Sequence, residues 1–80
     1  MHELGVLTRA LERVQRAADE NKIAAVKSVT LEVGLSSSYV PAYFEKLFPV
    51  ARELFPATKK AVLKIETVAG GGLFIKEIAY

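Results

Sequence analysis

Apolar residues recur at three- and four-residue spacing over the first part of the chain. Leu4, Leu7, Leu11, Val14 and Ala18 fall on one stripe if residues 2–21 are helical. Charged side chains of both signs occupy the remaining positions of this segment, as on a solvated helix surface. The pattern predicts an amphipathic helix over residues 2–21 with one buried face.

Three later segments, residues 25–35, 61–68 and 73–79, have the character of β-strands. In the first of them Val29, Leu31 and Val33 alternate with Thr30 and Glu32. Strict alternation places every second side chain on the same face of a strand. The sequence therefore predicts three strands, and the polar residues indicate that the second face of the first strand is partly wet.

A second helix is expected between the first two strands, from about Pro41 to Leu54. The serines at 36–38 followed by Pro41 are typical of a helix start. Pro49 removes a backbone donor and crowds the preceding turn, so a kink or break is expected near residue 48. Pro56 is expected to end the element.

The resulting order is α-β-α-β-β, and a helical crossover makes the first two strands parallel. The three glycines at 70–72 are compatible with a tight hairpin that sets the third strand antiparallel to the second. We predict an α+β fold, a two-layer α/β arrangement with a mixed three-stranded sheet and two helices on one face. An uncovered apolar face opposite the helices would favour a homodimer or another partner.

Composition narrows the possible functions. The chain has 80 residues, a formal net charge of +2, no cysteine and one histidine. One small domain is expected, with no disulfide and no thiolate metal site. Basic and acidic residues are interleaved, which does not favour nucleic acid. No membrane span or signal-peptide core is expected, so we interpret the chain as cytoplasmic.

The single histidine stands at position 2, close to several nitrogen atoms that can bind a metal. These are the Met1 amine and the amide nitrogens of His2 and Glu3, which can close small chelate rings around one ion. Tetragonal sites rich in nitrogen suit Ni(II) or Cu(II). Met1 is expected to be retained, because histidine is too large for its usual removal. The Glu3 carboxylate could coordinate, support the site or simply complement the helix macrodipole.

Four segments of the chain resemble the HypA/HybF family of nickel metallochaperones, which mature [NiFe]-hydrogenase. Met1-His2-Glu3-Leu4 resembles the opening of the family, and Val29 to Gly34 resembles its first strand. Val40-Pro41 resembles the start of its second helix, and Leu73 to Ile78 resembles its closing strand. The resemblance spans nearly the whole chain in order and spacing.

The resemblance implies that residues 1–80 form a single nickel-binding domain of a protein that is not an enzyme. His2 is implied as the side-chain nickel ligand, with the Met1 amine and the backbone nitrogens of His2 and Glu3 completing the site. Ni(II) would be bound transiently and passed to a nickel-enzyme precursor or a nickel-loading GTPase. The zinc ribbon that the family carries between its last two strands is replaced here by the glycine turn at 69–72, so no zinc is expected.

A second interpretation is a metal-free interaction module that kept the fold and lost the nickel and zinc functions. Its working parts would be the uncovered sheet face, a mildly basic loop and Tyr39, Tyr43 and Tyr80. Catalysis is not indicated, because the chain has no Cys/His pair and no second histidine. The two interpretations differ at His2: only the first predicts that His2→Ala abolishes nickel uptake without disturbing the fold.

Overall fold

The computed structural model describes residues 2–80, and its elements follow the predicted order. Helix α1 is Glu3–Glu20, strand β1 is Ser28–Gly34 and helix α2 is Pro41–Ala51. Two short 3-10 turns, Arg52–Leu54 and Pro56–Thr58, lead to strand β2, Val62–Val68, and then strand β3, Leu73–Ala79. The α+β prediction is confirmed. None of the helices in this part of the chain is long and apolar enough to cross a membrane.

The core lies between the two helices and the face of the sheet that they cover. Helix α1 buries a stripe from Leu7 to Ala18, whereas Leu4, which was predicted to lie on it, is 46% exposed at the first turn. Asn21 Nδ2 donates to the Ala17 carbonyl over 2.8 Å, which satisfies part of the carboxyl end of the helix. The largest fully buried side chains from the three elements are Leu7, Leu11, Val14, Val29, Leu31, Val33 and Phe44.

The order of the strands corrects the predicted hairpin. β1 lies in the middle of the sheet, parallel to β2 and antiparallel to β3, so the order is β2-β1-β3. β3 therefore runs antiparallel to β2 as predicted, but the two strands do not pair. The residues between them span the width of the central strand, roughly 10 Å for two strand spacings.

Gly34 explains how this connection passes the end of β1. A Cβ built on Gly34 would lie 2.4 Å from the Gly70 carbonyl oxygen and 2.6 Å from the Gly71 carbonyl carbon. The Gly34 N–H donates to Gly72 O over 2.9 Å, and Leu35 N–H donates to Val68 O over 2.8 Å. The connection is thus hydrogen-bonded directly onto the end of β1, where only glycine leaves room for it.

The face of the sheet opposite the helices is open, but it is not the apolar surface that was expected. Its side chains include Thr30 and Glu32 of β1, which pair in register with Lys64 and Glu66 of β2. Lys76 Nζ of β3 donates to Glu66 Oε1 over 2.8 Å, so an ion pair spans the central strand. The apolar set of β1 faces the helices and its polar set lies outside, while Val62 and Phe74, in register with Ser28 and Glu32, are more than half exposed on the open face, which is therefore mixed.

Helix α2 begins at Pro41 as predicted, but the capping of its start and the position of its end differ from the prediction. None of the preceding serines caps its start: Ser37 Oγ donates instead to the Gly34 carbonyl over 2.6 Å, closing the turn after β1. The predicted break near residue 48 is also wrong, because the helix runs through Pro49 to Ala51 before it tightens into the 3-10 turn. Pro49 lies in the last turn of α2, and the α-helix ends two residues after it.

Candidate metal-binding site at the amino terminus

His2 occupies the residue position immediately before α1. Its backbone is left-handed, with φ 52° and ψ 26°, and its side chain is exposed. The His2 carbonyl accepts a 3.1 Å hydrogen bond from the Val6 N–H, which begins the helical bonding. The imidazole makes no hydrogen bond to any of residues 2–80.

The backbone nitrogens of His2 and Glu3 lie at the start of α1, where the Glu3 N–H interacts with its own carboxylate. The first N–H groups of any α-helix have no carbonyl partner within the helix. Here the His2 and Glu3 nitrogens are at that position, because the first bonded donor of the helix is Val6. The third predicted contributor, the Met1 amine, lies outside the described residues.

Glu3 has a second role that the sequence did not indicate. Its side chain is 4% exposed, and Oε2 accepts a 3.0 Å hydrogen bond from the Val40 N–H. The pKa of the Glu3 carboxyl lies below its ordinary value, chiefly through the terminal ammonium group and also through the N–H groups of Val40 and of Glu3 itself. Partial burial opposes this shift. The carboxylate is therefore held in its charged form.

The Glu3 bond connects the starts of the two helices. Val40 is the residue before α2, so its N–H is one of the donors that a helix start leaves without an internal partner. The Ser36–Ser38 segment was expected to cap this start, and Glu3 supplies a carboxylate there from 37 residues away. A local sequence pattern carries no signal for this contact, since it depends on how α1 and α2 pack.

The candidate site lies at one end of the molecule together with three other features. The carboxyl end of α1 leads into the start of β1, and the two elements run in opposite directions. The amino terminus of α1 therefore lies beside the carboxyl end of β1, at Gly34. The start of α2 and the 69–72 connection are at this end as well. We call it the terminal end, defined by His2, Glu3, Gly34, Val40 and residues 69–72.

The family model that matches this chain has the description "Hydrogenase/urease nickel incorporation, metallochaperone, hypA". It matches residues 1–73, which include α1, β1, α2, β2 and the candidate site. This chain belongs to the HypA family. Its members are metallochaperones, so the chain is not an enzyme, and the predicted nickel-protein resemblance is confirmed.

Two solved structures of HypA proteins have the same fold. One is the solution structure of the nickel metallochaperone HypA from Helicobacter pylori, with a TM-score of 0.78, 21% identity and coverage of 96% of this chain and 72% of that one. Another, a solution structure of HypA protein, gives 0.69, 23%, 96% and 71%. No match was found among the curated proteins.

Between β2 and β3, where the family resemblance implied a zinc ribbon, this chain has a short connection. Residues 69–72 join β2 to β3 directly, and the chain contains no cysteine. Within residues 2–80 no three His, Cys, Asp or Glu side chains lie close enough to hold a metal.

The tyrosines of the alternative interpretation are distributed over different parts of the surface. Tyr39 packs edge-on against Phe44, with ring centroids 5.8 Å apart and an interplanar angle of 65°. Tyr43 and Tyr80 are exposed on α2 and after β3. Tyr39 also lines a groove beside α1, which Tyr43 and Tyr80 do not line.

Proposed function

We propose that residues 1–80 act as one nickel-binding domain that takes up a single Ni(II) ion in the cytoplasm and passes it to an acceptor. The ligands are the His2 imidazole, the Met1 amine and the backbone nitrogens of His2 and Glu3. The acceptor is the precursor of a [NiFe]-hydrogenase or another nickel enzyme, or a GTPase that loads it. Nickel is the cargo, and no zinc is required.

The observation that carries this proposal is the exposed His2 at a helix start whose backbone nitrogens are not used by the helix. Nitrogen donors in a plane suit Ni(II). A site with one side-chain ligand on the surface also releases its metal readily, which a delivery protein requires. The HypA family match supports nickel as the metal rather than copper.

Glu3 contributes through its backbone nitrogen, while its carboxylate positions the site. The Glu3 carboxylate is held by the Val40 N–H, which fixes the first turn of α1 against α2. A rigid first turn presents the nitrogens of residues 2 and 3 in one arrangement before the metal arrives. Glu3→Ala is therefore expected to weaken nickel binding severalfold without abolishing it.

Calorimetric titration with Ni(II) tests the proposal on protein with an unmodified Met1 amine. We expect binding near one ion per chain, together with the visible absorption of a planar Ni(II) complex. His2→Ala should abolish binding because it removes the one imidazole. An added residue before Met1 should also abolish it, because the amine is displaced from its chelate ring.

Leu4→Ala is the matched control. Leu4 is the next residue along α1 and is 46% exposed, and its truncation leaves every proposed ligand unchanged. It should bind nickel like the native chain, and the His2→Ala protein should keep native unfolding behaviour. Binding should also weaken on acidification, since the imidazole, the amine and the two backbone amide nitrogens must all lose protons to coordinate.

Absence of nickel binding by the native chain would overturn the proposal. The chain would then be a metal-free interaction module, the alternative raised by its sequence. Unchanged binding by His2→Ala would also overturn it, by moving the metal away from the amino terminus.

A further inference from the structure

A groove of about 410 Å³ lies between α1 and the outer edge of β3. Val6 and Ala10 of α1 form one wall, and Leu73 and Ile75 of β3 form the other. These four side chains are apolar, and each belongs to the core or packs against it. The groove can therefore contact apolar side chains of a binding partner.

Two arginines border this apolar floor. Arg9 and Arg13 are one helical turn apart, so both guanidinium groups lie on the same side of α1. Both residues are exposed, and neither has an ion-pair or hydrogen-bond partner among residues 2–80. No acidic residue lines the groove within this part of the chain. The border is thus positively charged without internal compensation.

β3 is an edge strand, so the groove is also bordered by backbone. Within residues 2–80 the strand pairs with β1 on one side and with no strand on the other. A register shift between Thr30 and Leu31 leaves Lys76 without a paired residue and divides the β1–β3 ladder into two regular halves, of which the first half of β3 is Leu73 to Ile75. That half, Leu73 to Ile75, is the part that lines the groove.

We propose that the groove binds an extended, acidic and apolar segment of the protein that exchanges nickel with this chain. The segment adds to the edge of β3 through its backbone, a known mode of peptide recognition. Its apolar side chains contact Val6 and Leu73, and its carboxylates pair with Arg9 and Arg13. This inference rests on the proposed nickel function and identifies the partner's chemistry.

The groove leads towards the candidate metal site. Val6 donates its N–H to the His2 carbonyl, so the groove begins one helical turn from His2. Arg13 lies roughly 16 Å from His2 along the axis at 1.5 Å per residue. An extended segment of about five residues covers this length at ~3.3 Å per residue. A bound segment thus ends beside His2, where its next ligand-bearing residue reaches the ion.

A titration of ¹⁵N-labelled protein with a seven-residue peptide of alternating glutamate and valine tests the inference without nickel. Amide shifts are expected at Leu73, Phe74 and Ile75 and along the Val6 to Arg13 face. The same peptide with lysine in place of glutamate should not bind. Arg9→Ala/Arg13→Ala should weaken binding about five- to tenfold, the loss of two solvent-accessible ion pairs.

Arg16→Ala is the matched control, because Arg16 is exposed on α1 but does not line the groove. It should bind the acidic peptide normally. The charge-reversed protein, Arg9→Glu/Arg13→Glu, should prefer the lysine peptide, which a general loss of structure cannot produce. Phe74→Ser tests the β3 side of the groove. It should weaken the binding of the acidic peptide to the native protein and of the lysine peptide to the charge-reversed protein.

Separate readouts distinguish this inference from the nickel proposal. His2→Ala should bind the acidic peptide with unchanged affinity, and Arg9→Ala/Arg13→Ala should bind nickel with unchanged affinity. Equal binding of both peptides, no binding, or shifts confined to the outer face of α2 would overturn the inference. So would sedimentation of the native chain as a dimer joined through β3, since a second copy would then occupy the groove.

Discussion

The two ends of this molecule use their polar side chains differently. At the terminal end Glu3 holds Val40, Ser37 holds Gly34, and His2 stays exposed. At the opposite end, the segment between α2 and β2 is held by hydrogen bonds between side chains and backbone groups. We call this second region the anchored end, defined by Gln15, Arg52, Ala57, Thr58 and Ala61.

The anchored end is joined by side chain to backbone hydrogen bonds between distant segments. Gln15 Oε1 of α1 accepts from the Ala57 N–H over 2.8 Å. Arg52 donates to the Ala61 carbonyl over 3.0 Å, and the buried Thr58 hydroxyl donates to the Arg52 carbonyl over 2.9 Å. These contacts satisfy the backbone of an irregular stretch that lies outside the sheet and the α-helices.

Stability and chemistry are therefore separated at the anchored end, which contributes to stability alone, whereas the terminal end combines structural contacts with the candidate metal site. Substitutions at the anchored end should change the free energy of unfolding and leave nickel binding alone. At the terminal end the backbone near Gly34 and the carboxylate of Glu3 are structural, whereas the role of His2 is chemical. Four substitutions, taken from the largest expected effect to the smallest, test this separation.

Gly34→Ala should have the largest effect on stability. The new Cβ would contact backbone atoms of Gly70 and Gly71 at 2.4–2.7 Å, and backbone cannot rotate away as a side chain can. We expect a loss of about 3 kcal/mol in the free energy of unfolding, measured with chemical denaturant. Folded protein should still bind one nickel ion, because the ligands are not displaced.

Gly5→Ala is the matched control for this prediction. Gly5 lies in α1, and a Cβ added there would have no atom within 4 Å, so the same methyl group meets open space. Alanine should stabilise the helix by about 0.5–1 kcal/mol. Equal effects at the two glycines would show that the 69–72 connection does not press on β1.

Thr58→Val tests the anchored end. Valine keeps the volume of the fully buried side chain but removes the hydroxyl that donates to the Arg52 carbonyl. We expect a loss of about 1–2 kcal/mol, because a buried acceptor loses its donor. Nickel affinity measured by calorimetry should be unchanged, and a loss of affinity would contradict the separation of the two ends.

Glu3→Gln should make stability less sensitive to acid. The folded pKa of Glu3 lies below its ordinary value of 4.5, so its stabilisation is present above that value and is lost as the pH falls through the folded pKa. The free energy of unfolding should therefore fall less steeply between neutral and acidic pH in Glu3→Gln than in the native chain. Parallel curves would mean that another carboxylate carries the acid sensitivity.

Lys76→Ala should have the smallest effect. Lys76 and Glu66 are both 48% exposed, and exposed ion pairs contribute little. The Glu66 carboxylate raises the pKa of Lys76, so the contribution is present below the ordinary lysine pKa and fades as the pH rises through the folded value. A double-mutant cycle with Glu66→Ala at neutral pH should give a coupling near the experimental error.

Elements with a regular period were predictable from the sequence. The stripe from Leu7 to Ala18 specified α1, and alternation around Leu31 and Ile65 located two strands, because burial of one face sets these periods. The position of His2 at a helix start also followed from the same stripe. Its assignment to a metal depended on resemblance, since one histidine carries little information alone.

The features that were missed depend on which elements are neighbours. Alternation does not state whether β3 pairs with β1 or β2, and three glycines suit a hairpin as well as a crossing. Gly34 held the relevant signal, because a glycine at the end of a strand often marks the close approach of another segment. The contact from Glu3 to Val40 had no such signal, since both residues have ordinary local explanations.

Because β1 is the central strand, the sheet closes late in folding. Its residue Ser28 pairs with Val62 on one side and with Ala79 on the other, both far along the chain. Neither partner strand reaches β1 through a tight turn, and contacts of such long range slow folding. During synthesis, β1 must wait until residue 79 has left the ribosome before its second edge is covered.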